Sequence, residues 1–192
     1  MALAPAAPRF YSVVSMPRQR RQISSEAELY DAAVGALARR AYSVREMRQY
    51  LERRATESSL AATVLGRLRG SGLLDDARYA RQFARDRAMN RRQGSFRIAR
   101  ELRARGVADR HIETALDELR SERDEAAMIR RRIESWLRRH GAADPAALDQ
   151  RRLASLYHSL LRAGFPGTSI RDELRRFGHP APPLDESETE DA

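Results

Sequence analysis

The chain has 192 residues, of which 36 are basic and 27 acidic, giving a net charge of +9. Every basic residue is arginine and cysteine is absent. Disulfides, thiolate metal sites, cysteine nucleophiles, Schiff-base lysines and phosphate-loop lysines are therefore excluded. Hydrophobic residues make up 42%, enough for a folded core in one domain or two small ones.

Residues 1–23 contain three prolines, four arginines and no helical periodicity, and read as a disordered basic arm. The start lacks a basic n-region, and Pro5 and Pro8 interrupt the apolar stretch, so no signal peptide is expected. No apolar run is long enough for a membrane span, and a cytoplasmic location is the expectation.

From residue 24 onward, strand-like alternation is missing and apolar residues recur at helical spacing. Nine helices are predicted, over 26–39, 44–54, 59–69, 76–90, 95–105, 109–119, 122–139, 147–163 and 168–177. Ser25 with Glu28, and Ser43 with Glu46, have capping-box spacing. Asp75, Asp109, Asp144 before Pro145, and Thr168 are further candidate N-caps. Residues 179–192 form a Pro-rich tail with five carboxylates, expected to be disordered. The tail reads as a solubilising end, with folding back onto a basic surface as the alternative. With four arginines in the arm and five carboxylates in the tail, residues 24–180 carry +10.

The predicted helices repeat. Around Leu102 stand Ile98 four residues before and Gly106 four after, then Val107, Ile112, Leu116 and Leu119. Around Leu160, at the same offsets, stand Leu156, Gly164, Phe165, Ile170, Leu174 and Phe177. Leu51 gives a fainter copy, with Met47, Leu65 and Leu68 retained and Ala55 in the glycine position. Each copy follows another helix, which gives three three-helix units at 24–70, 71–120 and 121–178. The expected fold is all-α, with the tandem three-helix repeats in an elongated, curved arrangement. The shared glycine is expected to end the middle helix in a left-handed conformation, and Ala55 implies a different turn in the first unit.

Catalytic signals are few. Asp75–Asp76 follows Gly-Leu-Leu and opens a helix, so capping accounts for it better than acid–base chemistry. The four histidines have no ligand-spaced partner, so neither a metal nor any other cofactor is expected. The arginine clusters are the informative feature. Arg97, Arg100 and Arg103 rise along one side of a helix opposite Ile98 and Leu102. With Arg53, Arg54, Arg91, Arg92, Arg105, Arg131 and Arg132 they form the candidate basic binding surface. Arginine can grip phosphates or carboxylates bidentately, and a basic body favours an acidic partner.

Ala-Tyr-Ser-Val-Arg-Glu-Met stands at 41–47, and Gly72-Leu73-Leu74-Asp75-Asp76 is followed by Tyr79 and Phe83. Arg97-Ile98 and Glu101-Leu102 then lead to Gly106-Val107. In these motifs the chain resembles the RecX family, regulators of the bacterial RecA recombinase, and the resemblance makes the arginine surface the candidate filament- and DNA-binding surface. These motif residues are expected to be mainly structural, with Leu73 and Leu74 packing between units and Asp75 capping. The resemblance implies tandem three-helix repeats and a protein that is not an enzyme. It further implies binding to the RecA filament on single-stranded DNA, with effects on ATP hydrolysis, strand exchange and coprotease activity, and so on DNA repair, recombination and the SOS response. Inhibition is the expected direction, with activation left open. Weak direct DNA binding is compatible with this, and a monomer is expected. The alternative is a non-specific, basic DNA-binding helical-repeat protein.

Overall fold

A computed structural model describes residues 22–142 and 148–178. Among these lie nine helices: α1 (Glu26–Arg39), α2 (Val44–Glu52), α3 (Ser58–Gly70), α4 (Asp76–Asn90), α5 (Ser95–Ala104), α6 (Asp109–Glu122), α7 (Glu125–Arg139), α8 (Gln150–Arg162) and α9 (Gly167–Arg176). The architecture is an all-α helical repeat. The arm, the tail and Asp144–Pro145 lie outside the described residues, apart from the arm's last two positions and Gly178 before the tail.

Apolar spacing and end signals together explain the helices. Ser43 caps α2 as read, its hydroxyl accepting from the Glu46 amide while Glu46 accepts from the Ser43 amide. Asp75 caps α4 by accepting from the amides of Ala77 and Arg78. Those amide hydrogens favour the charged carboxylate, so the Asp75 pKa lies below its ordinary value.

Other starts differ from the sequence reading. Ser25 sits at the head of α1 without a side-chain cap bond. Asp109 is the first helical residue rather than the cap, and its carboxylate pairs instead with Arg103 at 2.7 Å. α9 begins at Gly167 behind Pro166, so Thr168 is already inside it. α8 starts at Gln150, where Asp149 accepts from the Arg152 amide, a cap the sequence reading missed. α7 starts at Glu125 because α6 runs on to Glu122.

The buried side chains fall into three clusters. The first contains Leu29, Met47, Leu51, Val64 and Leu68 from α1–α3. The second contains Ala80, Ala84, Ile98, Leu102 and Ile112 from α4–α6. The third contains Ile129, Ile133, Leu156, Leu160, Phe165, Ile170 and Leu174 from α7–α9. Fully burying one such leucine or isoleucine contributes about 2 kcal/mol. Met128 packs against both the second and third clusters, and Leu74 belongs to the first although it precedes α4. In the third unit, buried Glu173 binds Arg130 at 3.0 Å and Arg176 at 2.8 Å, tying α9 to α7.

Successive units meet head to tail, and the two joints are built alike. The start of one middle helix abuts the end of the next unit's middle helix. At the first joint the Ser43 hydroxyl donates to the carbonyl of Arg105, three residues after Leu102, at 2.7 Å. At the second the Gly94 amide donates to the carbonyl of Ala163, three residues after Leu160, at 2.8 Å. Ser43 and Gly94 each stand eight residues before their repeat leucine. Phe96 adds a bond from its amide to the carbonyl of Gly164 at 3.0 Å.

This approach explains the repeated glycine. Gly106 has φ +76, and a Cβ there would lie 2.8 Å from Cβ of Arg45. Gly164 has φ +90, and a Cβ there would lie 2.5 Å from the backbone nitrogen of Arg97. Both positions thus require glycine for conformation and for space. Ala55, the counterpart in the first unit, has no unit against it among the described residues. Instead it faces Ile23, which donates to the Arg54 carbonyl at 2.6 Å and accepts from the Thr56 amide at 3.0 Å.

Candidate functional site

The arginines singled out in the sequence occupy three kinds of environment. Arg53, Arg91, Arg100 and Arg131 are exposed and make no ion pair among the described residues. Arg54 lies over the Tyr50 ring, 4.4 Å from its centroid, which holds the guanidinium against the end of the first unit. Arg103 is exposed and engaged by Asp109.

Arg97 and Arg105 belong to the joints. Arg105 pairs with Glu46 across the first joint at 2.8 Å and lies over Phe83 at 5.1 Å. Arg97 donates across the second joint to the Arg162 carbonyl at 3.2 Å and pairs with Glu101 at 3.2 Å. Glu101 also accepts from Gln93 at 3.0 Å and pairs with Arg87 at 3.2 Å. Burial pushes the Glu101 carboxyl up, but its bonds from Arg97 and Gln93, with the charge of Arg87, outweigh this and hold it below the usual value.

Arg92 and Arg132 meet at the second joint. Arg132 on α7 donates from Nη1 to the Arg92 carbonyl at 3.1 Å. Its Nε is buried without a hydrogen-bond partner among the described residues. Burial lowers the Arg132 pKa, and the charges of Arg139, Arg92 and Arg97 lower it further. Arg92 itself has φ +50, a left-handed conformation rare for a residue with a side chain. Of the candidate set, then, Arg92, Arg97 and Arg132 converge, while Arg53, Arg54, Arg100 and Arg103 make no contact with them. The surface set chosen from the sequence left out Arg139, Arg45, Glu46 and Glu101. Arg139 lies two helical turns beyond Arg132 on α7, a spacing that was legible.

The motif residues are mostly structural. Gly72 turns the chain at φ +69, and Leu74, Ile98 and Leu102 are buried. Asp76 accepts from the Val44 amide at 2.9 Å and so joins the first two units. Tyr79 is buried and stacks on Phe83. Burial raises the Tyr79 pKa, with Glu46 adding to it. Leu73 corrects the expectation: it is 44% exposed and lines an open groove with Val34 and Leu37. Only one of two adjacent residues in this extended turn can face the first core, and Leu74 takes that place.

Among the described residues, no group of three His, Asp or Glu side chains could hold a metal ion, and no helix is long and apolar enough to cross a membrane.

Comparison with known proteins places this architecture. Residues 30–68 match the family model of the first RecX three-helix domain, and residues 75–116 match that of the second. The chain is 42% identical over 141 residues to Regulatory protein RecX of Halorhodospira halophila, covering 73% of this chain and 83% of that protein. It is 33% identical over 162 residues to Regulatory protein RecX of Stenotrophomonas maltophilia strain K279a, covering 83% and 93%. The crystal structure of RecX from Lactobacillus salivarius shares the fold, with a TM-score of 0.67 at 20% identity over 80% of this chain and 96% of that one. With three units joined in register and relatives matched over most of their length, the chain belongs to the RecX family of regulatory proteins.

Proposed function

We propose that this protein binds the RecA filament on single-stranded DNA and restrains its ATP hydrolysis, strand exchange and coprotease activity. It would thereby regulate DNA repair, recombination and the SOS response, acting in the cytoplasm as a monomer and without a catalytic site or cofactor of its own. The observation that carries this reading is the match to the regulatory proteins across 73–83% of the chain, with the first two units matched by the family's own domain models. The repeated joint supports it. Quasi-equivalent surfaces at successive steps suit a partner made of successive protomers, where several weak contacts add to a high avidity.

The test is the single-strand-DNA-dependent ATP hydrolysis of RecA, titrated with this protein, with binding to naked DNA measured in the same buffer. Suppression at or below stoichiometric protein, before the naked DNA is saturated, is the expected result. Unchanged hydrolysis alongside tight DNA binding would replace the proposal with the second reading, a non-specific DNA-binding protein. That reading is favoured by the net charge of +9 and by the convergent arginines.

A further inference from the structure

The second joint holds a concentration of positive charge that the fold itself does not explain. Arg132 and Arg139 come from α7, and Arg92 and Arg97 from the segment between α4 and α5 and the first turns of α5. Arg97 has Glu101 as a counter-ion, whereas Arg92, Arg132 and Arg139 make no ion pair among the described residues. Half-burying a guanidinium beside other guanidinium groups is unfavourable unless an anion completes the set. A buried Nε lacking an acceptor, and a non-glycine residue held at φ +50 so that its carbonyl meets Arg132, mark the same spot. A strained non-glycine residue beside guanidinium groups that no carboxylate neutralises points to a ligand rather than to packing.

We infer that Arg92, Arg132 and Arg139 form a phosphate-binding site that straddles the joint between the second and third units, with Arg97 at its edge. A phosphate group supplies several acceptor oxygens to planar guanidinium donors. Because its donors come from both sides of the joint, a bound phosphate also fastens the two units together. The phosphate can belong to a nucleic-acid backbone or to a free phosphoanion. The inference does not rest on RecA binding, and its test uses no recombinase.

The experiment uses the full chain and its Arg132→Gln/Arg139→Gln variant, with Arg139→Gln alone as a second variant should the first fail to fold. Binding of a fluorescein-labelled oligothymidylate is followed by anisotropy across a salt series. Expected is a weakening of about tenfold for the double variant. The slope of log affinity against log salt should become shallower by about 0.7 for each phosphate that the variant no longer neutralises. In a parallel arm, thermal melting is recorded with inorganic pyrophosphate against chloride of equal ionic strength. Stabilisation of the parent but not of the variants assigns the site to free phosphoanions as well. Its absence in both, with the oligonucleotide slope reduced, assigns the site to the backbone alone. Unchanged affinity and slope in a folded variant, together with equal pyrophosphate effects on parent and variant, would overturn the proposal. So would a parent that binds neither probe. RecA ATPase restraint can succeed or fail independently of each of these results.

Discussion

Two glycines with similar backbone angles have different reasons to exist. Gly72 has open space where a Cβ would stand, so Gly72→Ala meets only the left-handed penalty, about 1 kcal/mol. At Gly164 the same penalty is joined by a collision with the backbone of Arg97. Gly164→Ala is expected to destabilise by about 3 kcal/mol, combining strain with overpacking. Urea unfolding of the two variants checks the contrast, and equal losses would show that the joint yields to the methyl group. The carboxylates give a matching prediction in pH. The pKa values of Asp75 and Glu101 are lowered in the folded chain, so both stabilise it above their unfolded values. That contribution should be lost as pH falls below about 4, where the unfolded chain takes up protons first. Glu101→Gln should flatten the acid limb of the stability curve, measured by thermal melting across pH.

At the scale of elements, the head of α2 does two jobs with one side chain. Ser43 caps its own helix and, fully buried, also holds the carbonyl at the end of α5. Ser43→Ala therefore removes a cap and strands a buried acceptor, and should cost about 2 kcal/mol, measured by denaturant unfolding. Gly94, its counterpart before α5, makes the equivalent bond from its backbone, so no side-chain truncation can remove it. This contrast explains what the sequence made legible. The capping box at Ser43, the core positions around Leu51, Leu102 and Leu160, and the glycines at equal offsets are local or periodic signals. The partner carbonyls of Arg105 and Ala163 are not, because the bonds that reach them span more than sixty residues in the folded chain. The caps at Ser25, Asp109 and Thr168 were misread for a related reason. Each residue type fits a cap, but the tertiary partner or the preceding residue decides where the first turn begins.

For the whole molecule, charge and position separate two groups of arginine that composition cannot distinguish. Arg97 and Arg105 were grouped with Arg100 and Arg53 by sequence, since a charge beside a helix core looks the same whether a second unit covers it or not. The structure gives the first pair neighbours in other units and leaves the second pair in solvent. A loss-of-binding variant built on Arg97→Glu would also damage the second joint. Arg100→Glu isolates the surface charge, and about a tenfold weaker association with the RecA filament is expected at unchanged helicity, measured by co-sedimentation and circular dichroism. Unchanged association would move the contact surface away from α5.

Glycine after the middle helix stands only where another unit presses from the N-terminal side. Three units have two joints and two such glycines, and the first unit has Ala55 with Ile23 laid beside it. The spacing is thus a grammar for lengthening the array. A module inserted between existing units must bring its own glycine and its own small or hydroxylic residue eight positions before the repeat leucine. A module added in front must also displace Ile23 and convert Ala55 to glycine. One added behind would dock on the Asp149-capped start of α8 and carry the glycine itself.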